Sequence, residues 1–229
     1  METQSSSDFK KLDLADIWAE PLMESHKTKG LVAIDNPLDF EKEFMSIYNN
    51  LKKKEKEILI RKDAGNFDTL SQVLNKQPKI IHISCHGDYD SSNDQFFLAL
   101  EEKNTGIQDK FHQGRLKDLL DEKEKVELVF VSACHSQMIG SIFNKANIPC
   151  VVAVNSTMKI LDEAAMQFAS TFYSNLLDGF TVINSFEKAR KNVRANNKIA
   201  MSSCCCAHEH KTNCFWMKKA LKEGLTEAH

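Results

Sequence analysis

Residues 79–90 read KIIHISCHGDYD, and the way this stretch is read decides the fold. Ile80, Ile81, Ile83 and Cys85 are β-branched or small apolar residues, which suit a buried strand. The strand then delivers His86 and Gly87, followed by the acids Asp88 and Asp90. A core strand that ends in an imidazole and a glycine presents chemistry at its tip.

Working outward, VELVFVSAC at 126–134 is the most apolar run of the chain, and PCVVAVNS at 149–156 is another buried strand. Further strands are expected at 13–23, 57–63 and 95–102, the last in a hairpin. Helices are expected at 36–57, 66–77, 113–124, 136–146, 160–178 and 182–196. In the first of these, Leu38, Phe40, Phe44, Ile47 and Leu51 recur at helical spacing. Continuous apolar strands alternating with helices predict a three-layer α/β/α sandwich around a mostly parallel sheet covered on both faces. The loop at 87–95, GDYDSSNDQ, reads as mobile. Composition shifts near residue 198, so residues 1–197 are expected to form the main domain and 198–229 a Cys/His-rich C-terminal element.

The chain has 229 residues, 42% of them hydrophobic and 27% charged. A chain of this size can bury roughly three-quarters of its unfolded surface in one core. Its net charge of −2 gives no electrostatic reason to bind nucleic acid or an anionic membrane surface. No apolar run approaches the ~20 residues of a transmembrane helix, and the N-terminus lacks the apolar stretch of a secretory signal. The expectation is a soluble cytoplasmic protein whose cysteines are thiols or metal ligands.

In open α/β sheets, reactive groups gather beyond the carboxyl ends of the strands. One strand here delivers His86 and another delivers Cys134, 48 residues later. That separation holds a hairpin, a helix and a strand, which would bring the two ends side by side. A thiol nucleophile needs a neighbouring base to hold it as thiolate, and His86 fits that role. Gly87, having no Cβ, would let a backbone N–H approach a reacting carbonyl. The N–H groups of Gly87 and Cys134 are the candidates for an oxyanion hole. The plainer alternative is a core cysteine and a turn.

IIHISCHGDYD followed by LVFVSACHSQ resembles the CHAT domain, a member of the caspase–separase–gingipain group of cysteine peptidases. The segment 148–194, with its DEAA, FY and later leucine, is similar to the family's region after the nucleophile. The resemblance covers about residues 13–197, and the His-to-Cys spacing is close to the about 50 residues of caspase-type enzymes. It implies a caspase-like sheet, His86 as general base and Cys134 as nucleophile. Asp162 stands where relatives such as separase carry an acid that reads a basic P1 residue, and it equally suits a helix N-terminus. Metacaspases carry their arginine-reading Asp two residues before the nucleophile, where this chain has Ser132.

Other residues have plainer readings. Side chains alternate along a strand, so Cys85 faces away from His86 and reads as a core thiol. His82 reads as a hydrogen-bonded core histidine, and His135 points away from Cys134. Asp88 and Asp90 stand at the rim, either orienting His86, meeting a basic substrate or simply solvated. In CCCAHEHKTNC, residues 204–214, thiolates and imidazoles crowd together as zinc ligands do. A structural zinc site drawn from Cys204, Cys205, Cys206, His208, His210 and Cys214 is expected over a free thiol-rich tail. No cofactor is expected for catalysis. The leading functional expectation is a cysteine endopeptidase acting on protein or peptide substrates. A latent or non-catalytic module that awaits an activating partner protein is the alternative, and a thiol hydrolase or acyltransferase for small amides is a third reading.

Overall fold

The apolar runs near 80, 128 and 150 lie side by side as parallel strands in the computed structural model, which describes residues 12–26, 28–34, 37–53, 58–120, 126–154, 162–196 and 205–209. The chain runs β1 (Leu14–Ala19), β2 (Met23–His26), β3 (Gly30–Ala33), α1 (Phe40–Lys53), β4 (Ile60–Ala64), α2 (Phe67–Lys76) and β5 (Ile80–Asp90). It continues through β6 (Gln95–Glu101), β7 (Gln108–His112), α3 (Gln113–Leu119), β8 (Leu128–Ser132), α4 (Gln137–Lys145) and β9 (Cys150–Val154). It closes with α5 (Asp162–Leu177), α6 (Val182–Ala195) and β10 (Cys205–Glu209).

The sheet order is β10-β9-β8-β5-β1-β4. The pairings from β9 to β4 are all parallel, as strands linked by helical crossovers require. β10 joins the β9 edge antiparallel, so the Cys/His-rich segment contributes an edge strand to the same sheet. β5 outlasts its parallel partners. Beyond Ser84 it pairs antiparallel with β6 from His86 to Asp90, and β6 pairs with β7.

Alternation along the strands builds two cores. Ile81, Ile83, Cys85, Val129 and Val131 meet Leu70, Val73 and Leu74 of α2, Leu116 of α3, and Ile139 and Phe143 of α4. On the opposite face, Leu14, Leu128, Phe130 and Val152 meet Ile47 and Leu51 of α1, Phe168, Phe172 and Tyr173 of α5, and Phe186, Ala189 and Val193 of α6. The result is the predicted three-layer α/β/α sandwich. Local signals place the helices. The Asn66 side chain caps α2 by accepting from the Thr69 N–H at 3.0 Å, and Thr181 caps α6 by accepting from Asn184 N–H at 3.2 Å. Gly179, at φ 87°, takes the left-handed turn between α5 and α6.

Three elements differ from the sequence expectation. The strand expected over 13–23 stops at Ala19, and the chain then folds into the small hairpin β2–β3. β7 forms at QDKFH, whose polar residues hide it from a pattern reading; it is held by its register with β6. The helix expected at 113–124 is α3, Gln113–Leu119, and 121–125 lie outside the described residues.

Phe130 sits at the centre of the second core, ringed by His82, Phe168, Phe172 and Tyr173 at centroid distances of 4.9 to 6.1 Å. Phe130→Ala should cost about 3–5 kcal/mol, read as a lowered denaturant midpoint at unchanged slope in equilibrium unfolding.

Candidate active site

From Ile80 with Leu128 to Ser84 with Ser132, the first five residues of β5 pair with the β8 residues 48 positions later. The His86–Cys134 separation is that same 48. Both residues stand two places beyond the last pair and share the parity of Ser84 and Ser132. The α1 and α5 side of the sheet is the one faced by the Leu128 and Phe130 side chains of the same alternation on β8.

The backbone shows how tightly the two ends meet. A Cβ built on Gly87 would lie 2.0 Å from the Cys134 carbonyl oxygen and 3.4 Å from Cβ of Ala133. No side chain fits there, so the neighbouring strand end itself requires glycine. After Cys134 the chain turns through His135, whose φ of 55° lies in the left-handed region. For a non-glycine residue that conformation costs on the order of 1 kcal/mol. It swings the His135 ring onto Phe96, with centroids 5.7 Å apart. Ser136 is buried, donates to the Val131 carbonyl at 3.2 Å and leads into α4. The amino-terminal end of α4 therefore follows two residues behind the thiol.

Beneath the pair lies a buried polar cluster. On β5 and β8, Ser84 and Ser132 donate to the Glu43 carboxylate of α1, Ser84 to Oε2 at 2.5 Å and Ser132 to Oε1 at 3.1 Å. His82 Nε2 lies 3.5 Å from Glu43 Oε1, an ion-pair contact longer than a hydrogen bond. Its Nδ1 is 3.0 Å from the Tyr173 hydroxyl, and its ring stacks on Phe130. Burial opposes the His82 charge, but Glu43 and then Asp16 outweigh it and raise its pKa. Burial also pushes the Glu43 carboxyl up, yet His82 and the two serine hydroxyls hold it below its ordinary value. Asp16 of β1 sits in the same row as His82, and burial raises it to about 6. Sequence reasoning missed Glu43 and Asp16. Glu43, Ile47 and Leu51 are the buried residues of α1, so an acid at i, i+4, i+8 spacing with two core residues was the available signal.

The other predicted residues separate. Asp162 begins α5, where its Oδ2 accepts from the Asp39 N–H at 3.4 Å. Burial raises its pKa, with His86 among the groups acting in the opposite sense. The fold thus brings Asp162 towards His86. Asp88 is exposed and accepts from the adjacent Tyr89 N–H. Asp90 is buried and engaged by the turn and β7. It accepts from Ser92 N–H, Asn93 Nδ2 and His112 Nε2 at 2.8 to 3.2 Å, which ties the β5–β6 turn to β7. The stretch expected to be a mobile loop is a closed hairpin. Cys85 is buried in the first core, where desolvation drives its thiol far above its usual range. Neither Cys85 nor Cys134 is in a disulfide.

Of the expected zinc ligands, Cys204, His210 and Cys214 lie outside the described residues. Cys205, Cys206 and His208 fall on β10. Among the described residues no group of three or more His, Cys, Asp or Glu could hold a metal ion. In the same residues no helix is long and apolar enough to cross a membrane.

Comparison with known proteins places this geometry. The family model of the CHAT domain matches residues 32–218. No curated protein sequence matches the chain. Among solved structures, the Arg-specific cysteine proteinase gingipain R is similar at a TM-score of 0.50 and 14% identity, over 82% of this chain and 43% of that one. This chain thus spans less than half of the gingipain it matches. The Drosophila initiator caspase Dronc is similar at a TM-score of 0.48 and 9% identity, over 86% of this chain and 79% of that one. At these identities the likeness to gingipain speaks for the fold.

Two outcomes follow from the packing. Gly87→Ala should lower stability by about 1–3 kcal/mol or more and slow alkylation of Cys134, read by denaturant unfolding and quantitative peptide mass spectrometry. For Asp16, a folded pKa above the unfolded value means that ionisation costs stability as pH rises from about 4 to above 6. Asp16→Asn removes that cost, so its stability relative to wild type should grow by up to about 3 kcal/mol between pH 4 and pH 7. Unfolding curves at the two pH values check it.

Proposed function

From the premise that the chain belongs to the CHAT domain family, we propose that it is a cysteine endopeptidase with Cys134 as nucleophile and His86 as its proton-transfer partner. The observation that carries the reading is the shared offset of 48 residues in sequence and in the β5–β8 register, which supports a side-by-side placement of thiol and imidazole.

The chemistry runs as follows. His86 takes the thiol proton, and the Cys134 sulfur forms a bond to the scissile carbonyl carbon. The negative charge that develops on the carbonyl oxygen is held by the N–H groups of Gly87 and Cys134. As the intermediate collapses the C–N bond breaks, and His86 protonates the departing amine. Water, deprotonated by the same imidazole, then attacks the thioester carbonyl and releases the acid and the free thiol. Asp162, half-buried at the head of α5, serves as the acid that reads a basic P1 side chain, and Asp88 contributes at the rim. The gingipain neighbour is Arg-specific, which agrees in kind with such a pocket. The tail holds a structural zinc ion and takes no part in catalysis. A protein partner that activates the enzyme belongs to the same reading.

Peptidyl acyloxymethyl ketones that differ at P1 test this on the full chain by intact mass. Wild type should gain a single adduct, fastest with Arg or Lys at P1, and Cys134→Ala should gain none. His86→Ala should lower turnover of a matching peptide by about 10²–10⁴-fold. Asp162→Asn should slow the basic probes by about tenfold or more and leave a neutral P1 probe unchanged. Rapid labelling of Cys134→Ala would refute the nucleophile. A folded wild type that no probe labels would favour the alternative of a non-catalytic module bound to a partner.

A further inference from the structure

β5 and β8 part company at the site. Their parallel pairing ends at Ser84 with Ser132. From His86 onward β5 pairs with β6 instead, while β8 gives way to the turn that carries Cys134. The pair therefore stands at the mouth of a fork, just past the last rung that joins the two strands.

Glu43 sits on that rung. It is 4% exposed, and its two oxygens are divided between the strands, Oε2 to Ser84 and Oε1 to Ser132. A carboxylate is rigid and planar, so two hydroxyls bound to its separate oxygens are held at a fixed spacing. Glu43 is itself fixed from behind by His82, which Tyr173 and Phe130 hold in turn. With both oxygens occupied and His82 opposite, this acid is closed to an incoming basic side chain.

We propose that Glu43 is the positioning residue of the site, bridging Ser84 to Ser132 and so setting the distance between His86 and Cys134 across the fork. This rests on the reading of those two as partners. The bonds of Glu43 to Ser84 and Ser132 are the route by which it acts.

The test reads the thiol, without need of a substrate. Alkylation of the full chain by neutral iodoacetamide is followed against pH on the tryptic peptide 126–145, whose one cysteine is Cys134. Cys85, which interacts with Cys134, and Asp162, which interacts with His86 and Asp39, are unchanged in the positioning variants, as are Asp39, Asp88 and His135. Ser84→Ala/Ser132→Ala should move the midpoint of the rate profile up by about one pH unit, a roughly tenfold slower reaction below it. Glu43→Gln should do the same. In a His86→Ala background neither change should add to the effect of losing His86. Thermal unfolding establishes that each variant is folded, and if Glu43→Gln is not, the serine variant decides. A folded serine variant whose profile superimposes on wild type overturns the proposal. So does an equal slowing with and without His86. If His86→Ala alone leaves the wild-type profile unmoved, the dyad reading itself fails and the proposal falls with it.

Discussion

The parallel register between β5 and β8 is the constraint on which the rest depends. Once Ile80 lies beside Leu128, the β5 residues up to Ser84 have their counterparts fixed on β8. A slip of one residue would turn the polar column of His82, Ser84 and His86 into the first core. It would put Ile81, Ile83 and Cys85 against the acids of the other face. The two sides of the sheet are so different in polarity that only one register is tolerable.

The side that faces α1 and α5 changes character along the strands. At the amino-terminal end it is Leu14, Ile80 and Leu128, wholly apolar. One step on it is Asp16, His82 and Phe130, and then Ser84 and Ser132. Polarity rises towards the carboxyl edge, where the site lies. Groups buried at this depth must be paired: the serines bond to Glu43 and His82 Nδ1 meets Tyr173, while His82 Nε2 has only its ion-pair contact with Glu43. Removing one partner would strand a charge, so the cluster is held together by the cost of breaking it more than by net attraction.

Rigidity at the rim has a separate source. The hairpin beyond Gly87 is closed by Asp90, whose pKa is drawn down to about 2, chiefly by the Ser92 backbone N–H and then by the Ser92 and Asn93 side chains and Lys110. His135 pays for its left-handed backbone with a ring contact to Phe96 on the same hairpin. The segments on either side of the thiol are thereby braced against each other.

By itself the sequence determined the parallel sheet and its helices, because long apolar runs and helical spacing of apolar residues are local signals. It also offered His86, Gly87 and Cys134 as candidates, since strand ends are where such a sheet exposes reactive groups. The identity of the glycine's neighbour was beyond it. The requirement at Gly87 comes from the Cys134 carbonyl, a contact between residues far apart in the chain. Tertiary structure alone decided that Glu43 bridges Ser84 and Ser132, that Asp90 bonds to the β5–β6 turn and His112, and that QDKFH is a strand. In each case a polar residue, unremarkable in its local context, takes its role from partners that folding delivers. Hydrogen bonds and burial across long separations leave no periodic trace in a sequence.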